Sequence, residues 1–137
     1  IKRGYLVESA INAVQGVDLT MHKFYNHICM PGYYKSIDGI VVSSTEETVG
    51  LPGMEAASAG RLVISTPIGY FANHGPKGGG VVVPLEPQEF VDNVYQQVCY
   101  YRDNAQAYRE KCESIQQYAK ENYDWSVVIN DWLELLA

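Results

Sequence analysis

Apolar residues along this chain switch between two periods, and the switches divide it into elements. Leu6, Val7, Ala10, Ile11 and Val14 share one helical face, which predicts an amphipathic helix over 4–15 ended by Gly16. The period then falls to two. Val17, Leu19 and Met21 alternate with Asp18, Thr20 and His22, the pattern of a strand with one face less buried than the other. Residues 25–32 read as a loop and 33–37 as a helical turn or two. Three short runs at 39–43, 62–65 and 80–83 are rich in β-branched residues without alternation, as expected of strands covered on both faces of a parallel sheet. A helix is predicted between the first two runs, over 52–59, and a turn around 70–73 before the third.

From Pro87 onward the pattern is helical. Phe90, Val94 and Val98 continue one stripe that Tyr100 and Tyr101 close, and Asp103 starts a further helix with Ala107, Ile115 and Tyr118 on its apolar side. Asp124 suits the N-cap of a last helix running through Val127, Val128, Trp132, Leu135 and Leu136. Strands alternating with helices through short Gly/Pro connections give an α/β fold, a Rossmann-like doubly wound parallel sheet flanked by helices. The helix over 4–15 has no strand before it, whereas βαβ units begin with one. The sheet is therefore expected to lack its first strand, and residues 1–137 to form one domain incomplete at its N-terminus.

Composition narrows the class without fixing a function. Hydrophobic residues at 47% and charged residues at 19% are globular values, which disfavours disorder and coiled coil. No apolar run approaches the roughly 18 residues of a membrane span. Cys29, Cys99 and Cys112 are odd in number and lack ligand spacing, so reduced thiols and a cytoplasmic location are expected. His22, His27 and His74 have no second ligand at a zinc spacing, and no metal is predicted. The net charge of −6 arises entirely from residues 84–137, with ten acids against four bases; residues 1–83 carry six of each. No basic stripe exists for nucleic acid. Several of the tyrosines sit at helical spacing beside apolar neighbours, so packing explains them better than base stacking. His74 and Lys77, on a glycine-rich loop, are expected in solvent.

Chemistry concentrates at 44–60, just beyond the carboxyl end of the first predicted strand, where open α/β sheets bind ligands. Gly50 permits close backbone approach, and Pro52 suits the first helical turn. The amides around Gly50, Leu51, Gly53 and Met54 then form an anion-binding helix end suited to phosphate. Glu47 and Glu55 flank that end with seven residues between them. Carboxylates accept hydrogen bonds from hydroxyl groups. A diphosphate with a hydroxyl-bearing sugar at each end, a nucleotide sugar, satisfies all these groups together. Ser44 and Thr45 bond either locally in the turn or to the ligand. A glycosidase would instead use Glu47 and Glu55 as acid and nucleophile across one bond. The glycine turn between them argues against this, because a neutral glycoside has no use for an anion site.

The motif Glu47-x7-Glu55, with Gly50, Leu51 and Pro52 inside it and Ala56, Ala57, Ala59, Gly60, Val63 and Ile64 after it, resembles the donor-site motif of a large retaining glycosyltransferase family. That family, the group 1 glycosyl transferases of the GT-B fold, includes sucrose synthases and bacterial mannosyltransferases. The resemblance extends over nearly the whole chain. Arg3 and Gly4 resemble the basic residue and glycine at which the family binds diphosphate, with Lys2 the other candidate cation. Residues 25–30, including Tyr25 and Met30, fall where the family packs the nucleotide base. Residues 34–38, 79–84 and 122–125 resemble the segment before the motif strand, a late strand and the last helix boundary. Arg61 and Leu62 depart from the pattern, Leu62 standing in place of a proline, and a second phosphate-binding cation would precede Ile1.

The resemblance implies a donor-binding domain with catalytic Glu47 on the transferred sugar, Glu55 on the ribose, and Arg3, Tyr25, Met30, Ser44, Gly50 and Leu51 around the donor. It implies retention of configuration without metal or other cofactor. The acceptor, a glycan, lipid or small molecule, would be bound through an N-terminal domain outside these residues, with room for peripheral membrane association of the full-length enzyme. A non-catalytic nucleotide-sugar-binding or regulatory domain of the same fold is the alternative.

Overall fold

The computed structural model describes residues 2–21 and 26–137. Its sheet has three parallel strands in the order β1 (Gly39–Val42), β2 (Leu62–Ser65), β3 (Val81–Val82). Gly39 to Val42 pair with Leu62 to Ser65, and Ile64 and Ser65 pair with Val81 and Val82. All four residues of β2 are buried, consistent with its apolar Leu62, Val63 and Ile64 and its central place.

Helices flank this sheet. α1 (Gly4–Ile11) packs against α5 (Pro87–Asp103), while α3 (Leu51–Ser58) packs on β1, β2 and α6 (Ala105–Tyr123). α2 (Met30–Ser36) precedes β1, α4 (Tyr70–His74) follows β2, and α7 (Trp125–Leu136) ends the chain. The α/β doubly wound reading is thus the observed architecture. Val63, Ile64, Phe71, Val83, Phe90, Val94 and Ile115 are nearly or fully solvent-free and form the centre of one continuous core. Small residues let α3 sit close: Ala56 and Ala57 are fully buried, and a Cβ on Gly53 would lie 2.5 Å from the Phe71 ring.

Several boundaries differ from the sequence reading. The helix predicted over 4–15 stops at Ile11 and continues as turns. Residues 17–21 form no strand; Val17 and Leu19 are half-buried between exposed Asp18 and Thr20, so the alternation records burial without a ladder. His22, the last residue of that predicted strand, lies outside the described residues. The predicted loop over 25–32 contains a 3-10 turn at His27–Cys29 and the start of α2, where Pro31 occupies the first helical turn. The turn at 70–73 is α4 plus a π-helical turn, Gly75–Gly79. α6 begins at Ala105, after a break at Asn104.

Candidate functional site

The chain leaves β1 through buried Ser43 and Ser44, and buried Thr66 after β2 holds it there. The Thr66 amide donates to Val42 O (3.1 Å) and its hydroxyl to Ser44 O (2.7 Å). Ser44 then uses its own hydroxyl locally, donating to Glu47 Oε1 at 2.8 Å. That bond turns the half-buried Glu47 carboxylate back toward the strand end. The loop is also fastened to α4: the Tyr70 amide donates to Val49 O at 2.9 Å. Gly69 permits this approach, since a Cβ there would lie 2.8 Å from Val49 O and 3.3 Å from Glu47 O. Two clefts open beside the loop. One, about 570 Å³, includes Thr45, Glu46, Glu47 and Gly69 in its lining; the other, about 360 Å³, runs from Glu47 to Pro52. Glu47 lines both.

At the start of α3, Gly50 adopts a left-handed conformation (φ 85°, ψ 48°) as the N-cap. The amides of Gly53 and Met54, counted as free in the sequence reading, both donate to Gly50 O, at 3.1 and 3.4 Å. A tight first turn engages them, and Pro52 has no N–H to offer. The amides without a protein acceptor at this end, among the described residues, are those of Gly50 and Leu51. Leu51 is exposed and Gly50 buried.

Glu55 lies half-buried one turn further along α3. Its Oε2 accepts a hydrogen bond of 2.7 Å from the Tyr34 hydroxyl, and Tyr34 is only 3% exposed. Burial, followed by the Glu55 contact, pushes the pKa of Tyr34 well above the ordinary tyrosine value, so it stays a protonated donor. The sequence reading placed Tyr34 only in a segment leading to β1. A tyrosine that buries its ring needs an acceptor for its hydroxyl, but a separation of 21 residues gives no reason to choose Glu55.

Arg3 is 7% exposed and works as a brace. Its Nε donates to Ser43 O at 3.1 Å, its Nη1 donates to Leu85 O, and its guanidinium lies 5.3 Å from the Phe90 ring centroid. Its Nη2 is buried without a hydrogen-bond partner. Lys2 is exposed. Met30 opens α2 half-buried against the core. Tyr25 lies outside the described residues.

A family model described as Glycosyl transferases group 1 matches residues 4–98, more than two-thirds of the chain. The chain belongs to that family. Among solved structures, this glycosyltransferase chain is similar to sucrose-phosphate synthase from Thermosynechococcus elongatus, with a TM-score of 0.65 and 20% identity. The match covers 76% of this chain and 26% of that one, so the chain spans about a quarter of that relative's length. At this identity the likeness speaks for the fold, that of a GT-B glycosyltransferase domain. No curated protein matches. The family match contains Glu47, the α3 start and Glu55, and leaves α6 and α7 outside.

Behind its site, the glycosyltransferase chain carries an aromatic cluster. Tyr70 stacks on His74 (4.2 Å between ring centroids, 4° between planes) and meets Tyr123 edge-on at 4.9 Å. Tyr118 OH lies 2.8 Å from His74 Nδ1, and Tyr123 OH donates to Met54 O at 3.2 Å. His74 is therefore half-buried in packing, contrary to the solvent position expected for it, whereas Lys77 is exposed. Among the described residues, no three His, Cys, Asp or Glu side chains group as metal ligands, and no helix is long and apolar enough to cross a membrane.

Proposed function

We propose that this chain is the donor-binding part of a retaining glycosyltransferase that moves a sugar from a nucleotide sugar to an acceptor hydroxyl without a metal ion. The observation that carries the reading is the pair of acids on either side of the α3 start. Each is held by one hydroxyl: Glu47 by Ser44, and Glu55 by Tyr34. In this reading Glu47 is catalytic and accepts from hydroxyls of the transferred sugar, with Ser44 orienting it. Glu55 accepts from the ribose, and Met30, at the start of α2, contributes to the base site. The Gly50 and Leu51 amides bind the diphosphate between them.

Arg3 supports the same assignment. A buried guanidinium nitrogen without an acceptor is costly, and a ligand phosphate oxygen would satisfy it. Positive groups at this position stabilise the departing diphosphate as charge develops on it. That phosphate takes the acceptor's proton, so no protein nucleophile is required. The acceptor, whether glycan, lipid or small molecule, reaches the sugar from a separate domain of the whole enzyme.

Calorimetry of the intact protein with UDP-, GDP- and ADP-sugars tests the reading, followed by NMR of the product's anomeric configuration with and without EDTA. Binding of one nucleotide-sugar class, and EDTA-insensitive transfer with retention, are expected. Absence of binding to all three classes overturns the proposal.

A further inference from the structure

The Tyr34–Glu55 contact carries an inference that rests on the nucleotide-sugar reading and deepens it. Glu55 bonds Tyr34 through Oε2, and its Oε1 makes no hydrogen bond among the described residues. An ionised carboxylate is acceptor-only, with about four lone-pair directions over its two oxygens. Unrestrained, it would rotate about its last side-chain torsion, which has broad wells. The Tyr34 hydroxyl removes that freedom. Its ring is buried, so the donor cannot follow a rotating acceptor, and burial with the Glu55 contact favours its protonated, donating form. Tyr34 is also the one fully buried residue of α2, the helix that Met30 opens. The hydroxyl therefore ties the orientation of a carboxylate on α3 to the seating of a different helix.

We infer that Tyr34 is a positioning residue, which turns Glu55 so that Oε1 faces the ribose diol of the donor and links the seating of α2 to ribose recognition. The Tyr34 hydroxyl touches no substrate in this arrangement. Its effect on affinity passes through Glu55, and it should vanish when either Glu55 or the diol is removed.

The test uses Tyr34→Phe, which keeps the ring and deletes the hydroxyl, in the intact protein. UDP, GDP and ADP and their 2′,3′-dideoxy counterparts are titrated calorimetrically, while circular dichroism confirms the fold. Tyr34→Phe is expected to weaken the preferred ribonucleotide by about five- to tenfold, the size of one ordinary hydrogen bond. The dideoxy counterpart should bind as it does to the unmodified protein. In a Glu55→Ala background, adding Tyr34→Phe should change nothing further. A merely structural tyrosine would instead weaken both ligands equally, with or without Glu55, and that result overturns the inference. So does unchanged ribonucleotide affinity in Tyr34→Phe. Failure of the unmodified protein to bind any of the nucleotides overturns the nucleotide-sugar reading as well, which separates the two failures.

Discussion

Gly69 offers a measurable test of how the acidic loop is held. Its φ of 50° and ψ of −130° fall outside the left-handed helical well that an L-residue can visit, where ψ is about +30° to +60°. Forcing alanine there costs about 1–3 kcal/mol in backbone conformation. The new Cβ would also sit 2.8 Å from Val49 O, so the loop must retreat. That oxygen accepts the Tyr70 amide, and losing the bond adds about 1 kcal/mol. Gly69→Ala should therefore destabilise the fold by about 2–4 kcal/mol. Gly50→Ala provides the contrast, because Gly50 has positive φ close to the left-handed well and open space where its Cβ would go. Its expected cost is about 1–2 kcal/mol, from conformation alone. Urea unfolding followed by far-UV circular dichroism gives both values by linear extrapolation. Equal losses for the two variants, or no loss in Gly69→Ala, would refute the idea that the Gly69 contact fastens the loop.

Three further outcomes are expected. Glu55→Gln should weaken nucleotide binding by about 1–3 kcal/mol, the worth of a charge-assisted hydrogen bond, and calorimetry showing unchanged affinity would remove its ribose role. Phe71→Ala should lower stability by about 3–5 kcal/mol, since this buried ring supports both Gly53 and Tyr70; a loss under about 1 kcal/mol in urea unfolding would contradict that packing. Asp124 caps α7, and bonds from the Ser126 hydroxyl and amide hold its pKa below the ordinary value of 3.8. Its contribution is thus complete above pH 3.8 and lost as pH falls through the lower folded-state value. Helicity measured by circular dichroism should fall with acid in that window less steeply in Asp124→Asn than in the unmodified protein.

The sequence was most legible where one local signal sufficed. Leu62–Ser65 is a strand with the predicted bounds, because three apolar residues and a serine between turns had no competing period. Asp124 caps the last helix because its carboxylate needs only the amide two residues on. Legibility failed where the outcome depended on a distant partner. Residues 17–21 alternate correctly in burial, but a ladder requires a neighbouring strand, and none pairs with them. Met21 instead runs back over α1, its Cε occupying the space beside Gly4. The acids flanking α3 were readable from spacing, whereas the hydroxyls that orient them differ. Ser44 is three residues from Glu47 and was open to a local bond; Tyr34 is on another helix and was not seen.

Arg3 also says something about the order in which the fold is completed. One guanidinium joins carbonyls 40 and 82 residues away in sequence, at Ser43 and Leu85. The first bond cannot form until the end of β1 has met the start of α1, nor the second until the segment after β3 has done so. Closing loops of that length is entropically unfavourable until the strands between them are paired. The cation should therefore arrive last, its burial reporting that the surrounding sheet is already assembled. Replacing it would be expected to accelerate unfolding while leaving the folding rate nearly unchanged.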